Sequence, residues 1–162
     1  MILQIYTIVH TLISLIAIFT GIVALFGMLS GHRFDGWTKW FLATTVLTSV
    51  TGFFFPFHKF LPSHAVGILS LLVLAISLYA RYGRRLAGGW RRTYVITAMV
   101  ALYLNVFVLV AQLFMKVPAL QALAPTQSEP PFVVAQATVL LLFVVLSVLA
   151  TIRFGNERLR TT

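Results

Sequence analysis

The chain has 162 residues, of which 60% are hydrophobic and 9% charged, with a formal net charge of +9, no cysteine and a mean hydropathy of +0.99. A charged fraction so far below the roughly 25% of soluble domains points to a protein solvated by lipid, and the lack of cysteine excludes disulfides, thiolate metal ligands and lipidation at cysteine. Nucleic-acid binding, which a charge of +9 would suggest in a soluble domain, is set aside: the Lys and Arg residues flank long apolar runs, the positive-inside pattern, so membrane lipids are the expected partner.

A helix needs about 20 apolar residues to cross a bilayer. On that measure residues 3–29, 37–57, 65–82, 92–115 and 132–154 are five predicted spans, and residues 1–162 form a single all-α transmembrane helical bundle. The first run carries no charge before Arg33, unlike a signal peptide with its basic leading region, and is read as a retained span. It should end at Gly27, Ser30 and Gly31, and Ala17 and Gly21 give it a small-residue face for close helix packing. The second span opens with Trp37 and Trp40, rings that favour the headgroup level. It carries Thr44, Thr48, Thr51 and Gly52 as a contact stripe, and closes on Phe53-Phe54-Phe55-Pro56-Phe57, where the proline loosens the helix.

After the turn at residues 58–64, the third span carries Ser63, Ser70 and Ser77 seven residues apart, with Gly67 among them. Residues 81–92, RYGRRLAGGWRR, hold five of the twelve Lys and Arg residues and form a loop that stays on the cytoplasmic side. The fourth span sets Thr93, Thr97, Ala101 and Asn105 at steps of four, with Gln112 beyond, so Asn105 and Gln112 are expected to face other helices. Residues 116–131 are the one long loop, in which Pro118 opens a short surface helix and the loop lies as a lid over the outer face. The fifth span stops at Arg153 before a polar tail.

Arg33, Lys39, the five basic residues of the 81–92 loop, Arg153, Arg158 and Arg160 then lie inside, and Lys59 and Lys116 outside. That bias puts the amino terminus outside and the carboxyl terminus inside, in the multi-pass arrangement of a bacterial inner (plasma) membrane protein. Gly36-Trp37-Thr38-Lys39 and Gly89-Trp90-Arg91-Arg92 open the second helix of each successive hairpin, a faint signal of duplication.

The residues best suited to chemistry fall on the predicted outer side. His10, His58, His64 and Glu129 have the nitrogen and carboxylate donors that zinc, copper or iron take, so a divalent metal is one candidate cofactor. His10 and His64, on different helices, form the pair that could hold haem b axially. Against this stands a plain interfacial role, with imidazoles bonded to water, lipid phosphate or a backbone carbonyl. Ion-coupled transport is disfavoured, because no Asp, Glu, Lys or Arg lies mid-span.

His10, Gly21 and His32-Arg33-x-x-Gly36, followed by a small-residue-rich second helix, resemble a widespread group of uncharacterised bacterial multi-helix inner-membrane proteins. The resemblance covers roughly the first 110 residues. It implies a multi-helix membrane fold and carries no established activity. This chain reads Gly89-Trp90-Arg91-Arg92 where that group commonly has His-Arg-Arg. Because the sequence holds no catalytic constellation such as HExxH or paired carboxylates, the expected function is a non-enzymatic binding or assembly subunit with an outer-face vestibule, partnered by other subunits' helices or by further copies of itself. The alternative is a small haem- or metal-binding redox protein using the outer histidines.

Overall fold

The computed structural model describes residues 1–155, so the tail with Arg158 and Arg160 lies outside the described residues. The elements are α1 (Ile2–Leu29), α2 (Asp35–Gly52), α3 (Pro62–Leu78) running into a π turn (Tyr79–Gly83), α4 (Trp90–Lys116), the short α5 (Pro118–Leu123) and α6 (Pro130–Gly155). No strand occurs among the described residues. Four helices, α1, α3 with its π turn, α4 and α6, are long and apolar enough to cross a membrane. The predicted second span is the difference. Its helix ends at Gly52, not near residue 57, because Pro56 biases Phe55 away from helical backbone, and Asp35 and Lys39 lie in its opening turns.

The ends of α1 and α2 follow from local chemistry. At the end of α1 the His32 N–H donates to the Gly27 carbonyl (2.8 Å) and the Gly31 N–H to that of Met28 (3.2 Å). This Schellman pattern needs a left-handed residue, and Gly31 supplies it with φ of 72°. Phe34, left-handed at φ 38°, lays its ring so close to Gly27 that a Cβ there would stand 2.9 Å from it. At the far end of α2, Phe53 seats its ring 3.0 Å from where a Cβ on Gly67 would be.

α1 packs on α2, α2 on α3, α3 on α4, and α4 returns to α1, while α6 lies against α4 and α1. Neighbours run antiparallel except α1 and α6, which run parallel, the end of α6 bonding the end of α1 through Arg153 and Leu29. Tyr6 and His10 meet Thr51, and Phe19 meets Trp37. Phe114, Tyr103 and Tyr94 of α4 face Phe132, Phe143 and Phe154 of α6, so the numbers fall along one helix as they rise along the other. The core runs from Leu25 and Met28 through Phe41, Leu42 and Leu74 to Tyr94, Met99, Leu102 and Phe154. The close approach of α1 is enforced at Gly21, where a Cβ would lie 2.6 Å from Leu102 Cδ1 and 2.8 Å from Phe41 Cδ2.

Antiparallel packing sorts the charges. Arg33, Lys39, Arg81, Arg84, Arg85, Arg91, Arg92 and Arg153 gather at one end of the bundle, where Arg153 Nη1 donates to the Leu29 carbonyl (3.2 Å), and Lys59 and Lys116 lie at the other. Polar residues are distributed unevenly between core and surface. Asn105 Nδ2 donates to Thr45 Oγ1 (3.2 Å), as its place on the stripe predicts. Gln112 is exposed, contrary to expectation, although at about 100° per residue seven positions bring it back to within about 20° of the Asn105 face; it lies little more than one turn from the end of α4 at Lys116. Gln136 is buried instead and donates to the Phe107 carbonyl (3.1 Å).

Candidate functional site: histidines at one end, an arginine clasp at the other

At the end of the bundle that carries Lys59 and Lys116, the FFFPF segment divides its rings between two imidazoles. Phe55 meets the His10 ring edge-on at 5.0 Å, while Phe53 and Phe57 stand 5.8 and 4.3 Å from His64, with Phe60 at 5.5 Å. His10 Nδ1 lies 2.8 Å from Thr51 Oγ1. That hydroxyl already gives its proton to the Leu47 carbonyl (2.7 Å), so the imidazole must be the donor and its Nε2 keeps a lone pair. Tyr6 fixes the same spot by donating to the Thr51 carbonyl (2.6 Å).

His64 is held the opposite way. It is buried at the start of α3, where its Nδ1 accepts from the Leu61 N–H (3.0 Å) and its own N–H donates to the Leu61 carbonyl (2.9 Å). Pro62, at the first helical position, needs no partner for a missing N–H. With Nδ1 occupied as an acceptor, neutral His64 carries its proton on Nε2 and has no free lone pair. One of the two imidazoles therefore stands ready to ligate and the other serves as a helix cap.

The remaining predicted ligands lie apart from this. His58 is exposed in the turn between α2 and α3. Glu129 sits before α6, where its carboxylate accepts from the Thr126 hydroxyl (2.7 Å), the Thr126 N–H (3.0 Å) and the Ser128 N–H (3.1 Å). These bonds, the Thr126 hydroxyl first, hold its pKa below the usual carboxylate value. Among the described residues no three His, Asp or Glu side chains lie together in a metal-holding group.

The long loop does close over part of this end. Gln127 Nε2 donates to the Ala111 carbonyl (2.9 Å), pinning the loop to α4. A pocket of about 250 Å³ remains between them, lined by Phe114, Met115, Gln121, Pro125, Thr126 and Gln127, none of them a histidine.

The opposite end holds the arrangement that sequence reasoning missed. Arg81, placed in the basic loop by its neighbours in the sequence, is buried: the π turn swings it inward. Its Nη2 bonds the Asp35 carboxylate, and its guanidinium lies 5.2 Å over the Tyr94 ring. Arg33 Nε approaches the same carboxylate at 3.5 Å. The signal was present in the sequence, since Asp35 is the one acidic residue before Glu129 and sits amid basic residues.

Comparison with protein-family profiles, with curated proteins and with solved structures finds no match to this chain.

Proposed function

We propose that the chain is a five-span integral membrane protein of the bacterial inner membrane, amino terminus outside and carboxyl terminus inside, that works as a non-enzymatic binding or assembly subunit through its outer face. The pocket under the long loop carries the binding role. It is lined by the apolar Phe114 and Met115 and the uncharged polar Gln121, Thr126 and Gln127, which suits a small uncharged ligand with one or two hydrogen-bonding groups. The orientation draws support from the sorting of basic residues to one end. An assembly role draws support from α6, of whose most apolar stretch only 11% is buried in the bundle, against 44% for α1. Its open face is covered by lipid, by a partner subunit's helix or by another copy of the chain.

A second reading, a small haem- or metal-binding redox protein, rests on the Nε2 lone pair of His10, oriented by its Nδ1–H bond to Thr51 in the way ligating histidines are commonly held. Absorption spectra of the purified protein, oxidised and reduced, with a metal assay, separate the two. A Soret band or stoichiometric metal that disappears in His10→Ala would replace the first reading with the second.

Topology is tested by single cysteines, introduced into a chain that has none. Cysteines at Ser63 and Ser128 should react with an impermeant thiol reagent from outside, and one at Ala87 should be protected. Outside reaction at 87 would overturn the orientation, and protection at both 63 and 128 would do the same.

A further inference from the structure

We propose that Arg84 and Arg85 form a headgroup site for an anionic glycerophospholipid, with its acyl chain lying along α3. The turn joining α3 to α4 is held rigidly. The Arg84 N–H closes the π turn on the Tyr79 carbonyl (2.8 Å), the Leu86 N–H reaches the Ala80 carbonyl (3.0 Å), and the Ala87 N–H that of Arg84 (3.0 Å). Leu86 is 3% exposed and anchors the turn in the core, while Arg85 and Leu86 take left-handed backbone at φ 50° and 59°. This geometry buries the leucine and leaves both arginine side chains outside.

Neither arginine has a carboxylate partner among the described residues, whose ion pairs are Arg33–Asp35 and Arg81–Asp35. Arg84 instead stacks over the Trp90 indole at 5.4 Å, and Trp90 meets Tyr79 edge-on at 5.2 Å. Stacking fixes the plane of a guanidinium and leaves its edge N–H groups free for phosphate oxygens. Tyr79 and Tyr82, both exposed, and Trp90 set the depth of this shelf at the headgroup level.

The apolar surface beneath continues the site. Leu69, Leu72 and Ile76 of α3 and Tyr79, which opens the π turn, are exposed and recur at steps of three and four along one face. An acyl chain hanging from a phosphate at Arg84 and Arg85 runs along that stripe. Two adjacent guanidinium groups without a counter-ion call for a net negative headgroup, so a zwitterionic lipid, whose ammonium offsets its phosphate, fits poorly. The proposal rests on the membrane reading but not on which side is inside, and cysteine labelling at position 87 reports orientation separately.

The experiment is native mass spectrometry of the full-length purified protein titrated with phosphatidylglycerol or with phosphatidylcholine. The unaltered protein should retain phosphatidylglycerol in preference, and Arg84→Gln/Arg85→Gln should weaken that retention on the order of tenfold. The charge-matched control Lys39→Gln/Arg92→Gln, also at exposed positions, should change it by less than about twofold on the same scale. Arg84→Lys keeps the charge and loses the planar stack, so it should fall between. Equal losses in the two double variants, no preference for the anionic lipid, or equal stabilisation by inorganic phosphate alone would each overturn the proposal.

Discussion

Arg81 and Asp35, 46 residues apart in sequence, form an ion pair in which the arginine side chain is 4% exposed and the carboxylate 63%. The asymmetry decides what each contributes. Water already solvates the aspartate, whereas the guanidinium has Tyr94 on one side and the carboxylate as its counter-ion. Asp35→Asn should therefore leave a buried cation uncompensated and destabilise the protein by roughly 2–4 kcal/mol, toward the low end of buried pairs because its own side is wet. Adding Arg81→Met should restore most of the loss. Thermal unfolding in detergent of both single variants and the double checks this, and additive losses would show that the pair is not coupled.

Four long apolar helices and most helix ends were legible in the sequence, the end of the second helix being the exception, while the sites at the two bundle ends were only half so. The Gly31 cap, the Pro118 surface helix and the Asn105 contact face follow from one-dimensional patterns and recur in the structure. The tautomers of His10 and His64 do not, because they depend on whether Thr51 has already spent its proton and on where the Leu61 N–H points. The burial of Arg81 depends on a π turn, whose single extra residue re-aims a side chain and leaves no mark in apolar periodicity.

Gly21 should be the least tolerant glycine of α1. Gly21→Ala drives a methyl into Leu102 and Phe41, both 1% exposed and unable to swing away, with an overpacking cost of about 1–3 kcal/mol. Gly36→Ala, which meets nothing within 4 Å, should move the melting temperature little. Similar melting temperatures for the two variants would contradict this packing.

Asn105 offers a smaller effect. Its bond to Thr45 crosses between α4 and α2, and interhelical hydrogen bonds in membranes average about 0.6 kcal/mol with a ceiling near 2. Asn105→Leu should lower stability by no more than that in a detergent unfolding titration, and Thr45→Val by a similar amount. A much larger loss for one alone would mean that the partner left behind is stranded without a bond.

The Glu129 clasp makes the long loop sensitive to acid. The carboxylate pKa is depressed in the folded protein, chiefly by the Thr126 hydroxyl. Its contribution is therefore fully present above the ordinary carboxylate value and is lost as pH falls through the lower folded value. Amide exchange at Thr126 and Ser128, compared at matched intrinsic rates, should stay protected near neutral pH and open only in that acidic window. Glu129→Gln should open it at every pH, and loss of protection already at pH 6 would exclude the carboxylate as the cause.

His10 and His64 should separate in their consequences because their ring nitrogens face opposite demands. His64 accepts a backbone N–H at the start of α3, so His64→Leu removes a helix-start bond worth about 0.5–2 kcal/mol and also disturbs the rings of Phe53, Phe57 and Phe60 around it. Its phenotype should be a lowered melting temperature. His10, half-exposed and with Nε2 unengaged by hydrogen bonds among the described residues, should tolerate His10→Gln with a smaller loss of stability. Any ligand-dependent signal at this end, whether bound metal, a visible band or a thermal shift with added zinc, should vanish with His10 and survive the loss of His64. Melting curves and zinc titration of the two variants side by side check both halves, and a zinc response abolished by His64→Leu but retained in His10→Gln would reverse the tautomer assignment.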